Sequence, residues 1–89
     1  MKNALKQELV VGRTFETSDI SLAASLSTLG ANLTAIDRSD PSRCAFIFDD
    51  SSDVRRTIAA YWSRQLSIEP QALFSALKAI KSRLYGERL

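Results

Sequence analysis

The chain has 89 residues, 45% of them hydrophobic and 25% charged, with three Gly and two Pro, which describes one compact domain and leaves no room for a second. Twelve Lys and Arg against ten Asp and Glu give a net charge of +2, and the absence of His removes the commonest general base and metal ligand. The single Cys excludes an intramolecular disulfide and, without His, leaves zinc little beyond carboxylates, which suit harder cations.

Residues 1–12 show weak periodicity around an apolar Leu9-Val10-Val11 cluster and are taken as a leader, frayed helix or added edge strand, ahead of a domain spanning 13–89. Arg13-Thr14-Phe15-Glu16 alternates β-branched or aromatic residues with charge and predicts a short strand. Thr17-Ser18-Asp19 offers oxygens that accept from the free amides of a starting helix. Leu22, Leu26 and Leu29 then mark an apolar stripe, and Gly30 supplies the left-handed residue that closes a helix. That helix has no charge between Asp19 and Asp37, so it must be largely covered.

Asn32–Arg38 and Arg43–Asp49 predict two strands of an antiparallel hairpin, separated by the turn signal Ser39-Asp40-Pro41-Ser42. The second strand is nearly continuous in apolar residues, which places it centrally with both faces at least partly covered. Asp50-Ser51-Ser52-Asp53 caps a second helix over Val54–Gln65. Leu66-Ser67-Ile68 is expected as a very short strand. Glu69-Pro70 opens a last helix whose stripe is Leu73, Leu77, Ile80 and Leu84, with Gly86 placed to stop it. The order predicts an α+β fold, a ferredoxin-like split β-α-β with an added C-terminal helix positioned to cover the sheet's second face.

Catalysis finds little support, and no enzyme is expected. Asp49, Asp50 and Asp53 form the densest carboxylate group; they suit Mg²⁺ in principle, yet acidic residues at a helix N-terminus offset its partial positive charge without a metal. Asp37 and Asp40 beside Pro41 suit turns better than ligands. Cys44 fits a small core residue of a strand better than a nucleophile. There is no Gly-rich phosphate cradle or nucleophile elbow. No cofactor and no metal are therefore expected. No apolar run nears the roughly 18 residues of a membrane span, and Met1–Glu8 turns polar where a signal peptide is apolar. A cytoplasmic location without membrane contact is the expectation.

Charge placement is more informative than its sum. Residues 1–53 carry five basic and eight acidic side chains, a net of −3, whereas residues 54–89 carry seven basic and two acidic, a net of +5. The basic half invites an anionic partner through steering and phosphate neutralisation. On the last helix Lys78, Lys81, Ser82 and Tyr85 share a side. Arg55 and Arg56 begin the preceding helix, and Tyr61, Trp62 and Arg64 occupy its second half. Basic groups mixed with rings are what single-stranded nucleic-acid binding uses. The plainer alternative is that Tyr61 and Trp62 are core at the junction of helix and sheet, with the charges solvating outward faces.

The alternation through Phe15, the hairpin, and Arg43-Cys44-Ala45-Phe46-Ile47-Phe48-Asp49 followed by an acidic helix start resemble an RNA-recognition-motif domain over residues 13–68. That resemblance implies rings on the first and third strands stacking bases. Cys44-Ala45 stands where that motif carries Gly, and stacking on the sheet fails if Phe46 and Phe48 point to the core. Phe15–Asp19, Leu29-Gly30, Phe46-Ile47-Phe48, Ala60-Tyr61-Trp62 and the Pro70–Leu84 helix together resemble a family of short uncharacterised proteins, a domain of unknown function found in bacteria, phages and mobile elements, over about residues 13–86. That family implies a small stand-alone domain and brings no catalytic residues with it. The expectation is a non-enzymatic accessory protein that binds nucleic acid, DNA or RNA, through Arg55, Arg56, Lys78, Lys81 and Arg83 with Tyr85 or Trp62 stacking. The alternative is a protein-interaction or self-association module, a homo-oligomer included, with no nucleic-acid contact.

Overall fold

A computed structural model describes residues 13–40 and 42–86. The leader 1–12, Pro41 and residues 87–89 lie outside the described residues, and the expectation for the leader lies there with them. The elements are β1 (Thr14–Thr17), α1 (Ile20–Thr28), β2 (Leu33–Asp37), β3 (Ala45–Asp49), α2 (Ser52–Trp62) and α3 (Pro70–Gly86). Among the described residues the fold is α+β, with three helices and a three-stranded antiparallel sheet in the order β1-β3-β2. β3 is inserted between β1 and β2, so the nearly continuous apolar strand is the central one.

Local chemistry sets most of these boundaries. Asp19 caps α1, its Oδ1 accepting from the amides of Ser21 (2.9 Å) and Leu22 (3.2 Å). The helix ends in a paired-bond motif, Ala31 N–H to the Leu26 carbonyl (2.9 Å) and Gly30 N–H to that of Ser27 (3.1 Å), with Gly30 at φ +99°. Ser51 caps α2 through the Val54 amide (3.1 Å). α2 stops at Trp62 rather than Gln65, because the same motif closes it: Gln65 N–H reaches the Ala60 carbonyl (2.9 Å) and Arg64 N–H that of Tyr61 (3.1 Å). Arg64 fills the left-handed position at φ +63°, which a side chain with a Cβ adopts at a cost.

The expected fourth strand at Leu66-Ser67-Ile68 is absent; residues 65–69 belong to no strand or helix. The motif that ends α2 and the Glu69 cap of α3 bracket only a few residues, and Leu66 and Ile68 are half-buried without ladder bonds. The described sheet therefore lacks the last strand of a ferredoxin-like layout.

Register explains which face is buried. β3 Phe48 lies opposite Phe15 of β1 and Leu33 of β2, and Phe46 lies opposite Thr17 and Ile36, so the rings of Phe46 and Phe48 share one face. Both are core, 3% and 0% exposed, in one cluster with Leu22, Ala23, Ala24, Leu26, Val54 and Ile80. Base stacking on these two rings, as the RNA-recognition-motif resemblance implied, is thereby excluded. Leu22–Leu26 of α1 are buried without interruption, because the sheet lies beneath this helix while α2 and α3 both pack against it. Ser25 survives there by donating its hydroxyl to the Ser21 carbonyl (2.9 Å). Burying side chains the size of Phe48, Leu22 and Leu26 contributes about 1.5–3 kcal/mol each.

The C-terminal helix does not cover the sheet's second face. α3 packs on α1, and its Ile80 enters the same core as Phe46 and Phe48. The opposite face, carrying Thr14, Glu16, Asp37 and Asp49 in register with Ala35, Ala45 and Ile47, presents Glu16, Asp37 and Asp49 exposed. The described residues thus form a helical layer on one face of the sheet and leave its other face acidic and uncovered among themselves. Among the described residues no helix is long and apolar enough to cross a membrane.

Candidate nucleic-acid interface

α3 begins with Pro70 in its first turn and the Glu69 carboxylate accepting from the amides of Gln71 (3.1 Å) and Ala72 (2.8 Å). Leu73, Ala76, Leu77, Ile80 and Leu84 form its inward stripe. Its far end is tied to the sheet from both sides. Arg38, just after β2, donates Nη2 to the carbonyls of Arg83 (3.3 Å) and Leu84 (3.0 Å), and Arg83 Nη1 donates to the Leu33 carbonyl (3.3 Å). These bonds and the inward stripe fix the helix's rotation about its axis. What turns outward is the row Phe74, Lys78, Lys81, Tyr85.

That row has spacings of four, three and four, so it runs along one side of the helix for about 16 Å. All four residues are exposed, Phe74 at 64% and Tyr85 at 57%. No carboxylate lies anywhere on Pro70–Gly86. Two rings flank two ammonium groups, with no acidic neighbour on the helix to hold them. Phe74 is the member that the sequence reading leaves without a role. Its position four residues before Lys78, off the Leu73–Leu77–Leu84 line, was the available signal.

The other expected basic residues are arranged differently. Arg55 forks onto Asp50, with Nη2 to Oδ2 at 2.6 Å and Nε to Oδ1 at 3.3 Å. The hydrogen bond from Arg55 holds the Asp50 carboxyl below the ordinary carboxylate range, and Asp50 raises the Arg55 guanidinium in return. Arg56 pairs with Asp53 one turn earlier. Arg83 is half-buried and points to β2. α2 lies toward the β1 side, where Asp50, Arg55 and Ile58 border a cleft with Thr14 and Phe15, whereas the end of α3 is tied to β2. With α1 between them, the structure does not bring Arg55 and Arg56 beside Lys78 and Lys81.

Trp62 is 63% exposed at the end of α2, its ring edge-on to Tyr61 at 5.0 Å between centroids and 87° between planes. Tyr61 itself is half-buried and donates its hydroxyl to Asp19 Oδ2 (3.2 Å). Burial, and then the Asp19 charge, push the Tyr61 phenol pKa up. Tyr61 therefore links α2 to the cap of α1, while Trp62 stays outside.

The acidic cluster is dispersed among separate partners. Asp49 accepts from the Asn32 amide (2.9 Å), Asp50 binds Arg55 and Asp53 binds Arg56. Asp37 and Asp40 fold back on Ser39 and Ser42, and those bonds lower both carboxyls. Among the described residues no group of three or more His, Cys, Asp or Glu is arranged to hold a metal ion.

No curated protein and no solved structure matches the chain at a significant level. A family model described as "Domain of unknown function (DUF5659)" matches residues 12–86. The chain belongs to that family.

Proposed function

We propose that this domain is a non-enzymatic accessory protein that binds single-stranded nucleic acid along the outer side of α3. The observation that carries this reading is the exposed row of Phe74, Lys78, Lys81 and Tyr85 on a helix without carboxylates. Bases of any identity stack on exposed rings, each worth about 1–3 kcal/mol, while ammonium groups meet the phosphates between them. The acidic open sheet face, carrying Glu16, Asp37 and Asp49, repels the same ligand and directs it to the helical layer. The β1-β3-β2 sheet is best regarded as a ferredoxin-like split β-α-β that lacks its edge strand. The resemblance to short bacterial, phage and mobile-element proteins supports a role as one subunit of a nucleoprotein complex.

The test is fluorescence anisotropy with a labelled single-stranded oligonucleotide. The wild-type chain binds, and Lys78→Ala/Lys81→Ala weakens binding about tenfold or more and flattens its salt dependence. Equal affinity of wild type and double variant removes α3 from the account.

A second reading, self-association without nucleic acid, draws on one observation: the acidic sheet face of one copy is complementary in charge to α3 of another. Sedimentation velocity at low salt separates the two. A monomer that binds the oligonucleotide supports the first reading, and a salt-sensitive oligomer indifferent to it supports the second.

A further inference from the structure

Where α3 ends, its outward row meets a cleft of about 410 Å³ between the start of α1, the β2–β3 turn and Tyr85, a size typical of small-molecule sites, which span roughly 300–1,000 Å³. Its floor is apolar, from Ile20, Phe46 and Leu84, and its rim carries Ser18, Ser42 and Arg43. Arg43 is exposed. Asp40, the carboxylate nearest to it in sequence, is hydrogen-bonded to Ser42 on the same rim and close enough to Arg43 for the two charges to act on each other. Tyr85 belongs to both features, as the last member of the row and as a wall of the cleft.

We propose that this cleft takes one unstacked nucleotide of the bound strand, its base against Tyr85 and the apolar floor and its phosphate on Arg43. The inference rests on the reading of α3 as a single-strand track and adds a terminus to it. A planar base matches a wall made by a ring over an apolar floor, and a guanidinium matches the phosphate bidentately. A duplex, with its bases stacked inside, cannot enter; the cleft therefore makes the site selective for single strands.

Cys44 lines the same cleft and is the chain's single cysteine, so it reports on occupancy. Thiol modification of Cys44 is followed with and without a short oligothymidylate, with and without adenosine 5′-monophosphate, and with a blunt duplex. Amide chemical shifts of Arg43–Phe46 read the same site independently of thiol reactivity. The oligonucleotide and the mononucleotide are expected to slow modification severalfold and shift those amides, and the duplex to do neither. Arg43→Ala should weaken the mononucleotide effect about tenfold, the scale of one charge-assisted hydrogen bond, and leave the melting temperature unchanged. Oligonucleotide binding by anisotropy with unaltered Cys44 and amide shifts overturns the cleft and leaves the α3 track standing. No binding by anisotropy overturns both.

Discussion

The start of α2 and the outer side of α3 carry the same number of candidate phosphate-binding groups, two arginines and two lysines, and differ in what surrounds them. At the start of α2 each arginine has a carboxylate of its own, Asp50 for Arg55 and Asp53 for Arg56. On α3 neither lysine has an acidic residue on its helix. A phosphate arriving at α2 must displace an existing ion pair, whereas one arriving at α3 meets two ammonium groups between two rings on a helix that carries no carboxylate. Net charge along a segment therefore overstates what α2 offers and understates what α3 offers.

The largest expected effect comes from the ring that sequence reasoning passed over. Phe74→Ala should weaken oligonucleotide binding by about 1–3 kcal/mol, read by anisotropy. Thermal unfolding should barely move, since the side chain is 64% exposed. Affinity equal to wild type would put α3 on the same footing as α2.

A smaller effect is expected from releasing the other region. Asp50→Asn breaks the fork to Arg55 and should lower stability only slightly, because Arg55 is solvated and the pair is screened. The Asp50 carboxyl is held below its ordinary range by the Arg55 hydrogen bond. Its contribution is therefore present above about pH 4 and lost as the pH falls through the lowered value. Wild type should accordingly lose more stability than Asp50→Asn on acidification below about pH 4, followed by denaturant unfolding. The released Arg55 should leave the salt dependence of oligonucleotide binding at the wild-type value, because the structure does not bring it beside Lys78 and Lys81.

A comparably small effect concerns the joint between the regions. Arg64→Gly removes a cation from the end of α2 and relieves its left-handed backbone at φ +63°. Stability should rise by about 0.5–1 kcal/mol in denaturant titrations, with oligonucleotide affinity unchanged. A loss of affinity would mean that α2 contributes charge to binding after all.

Much of the local structure was legible from residue types. Asp19 and Gly30 bracket α1 because an acceptor before a helix and a glycine after it answer fixed needs of the backbone. The hairpin and the inward stripe of α3 follow from turn chemistry and periodicity. The end of α2 was not legible, because Arg64 occupies a position where glycine is the usual signal. Leu66-Ser67-Ile68 has strand-like alternation, but pairing is a tertiary matter that three residues do not announce. Which face of the sheet α3 covers is not legible for a similar reason: its stripe says that it packs, not on which side.

The candidate site was legible in part. Asp53 and Arg56 stand three apart on a helix, a pairing that spacing alone indicates. Asp50 and Arg55 are five apart and meet only because the chain turns at the Ser51 cap. Phe46 and Phe48 show the converse, since alternation put them on one face without saying which face was buried.

The most direct test compares the slope of log affinity against log salt for Lys78→Gln/Lys81→Gln and for Arg55→Gln/Arg56→Gln, with one single-stranded oligonucleotide. The lysine pair should flatten the slope by about 1.4, since two phosphates are no longer neutralised, and the arginine pair should leave it at the wild-type value. A slope flattened by the arginine pair and untouched by the lysine pair would contradict the assignment of the interface to α3.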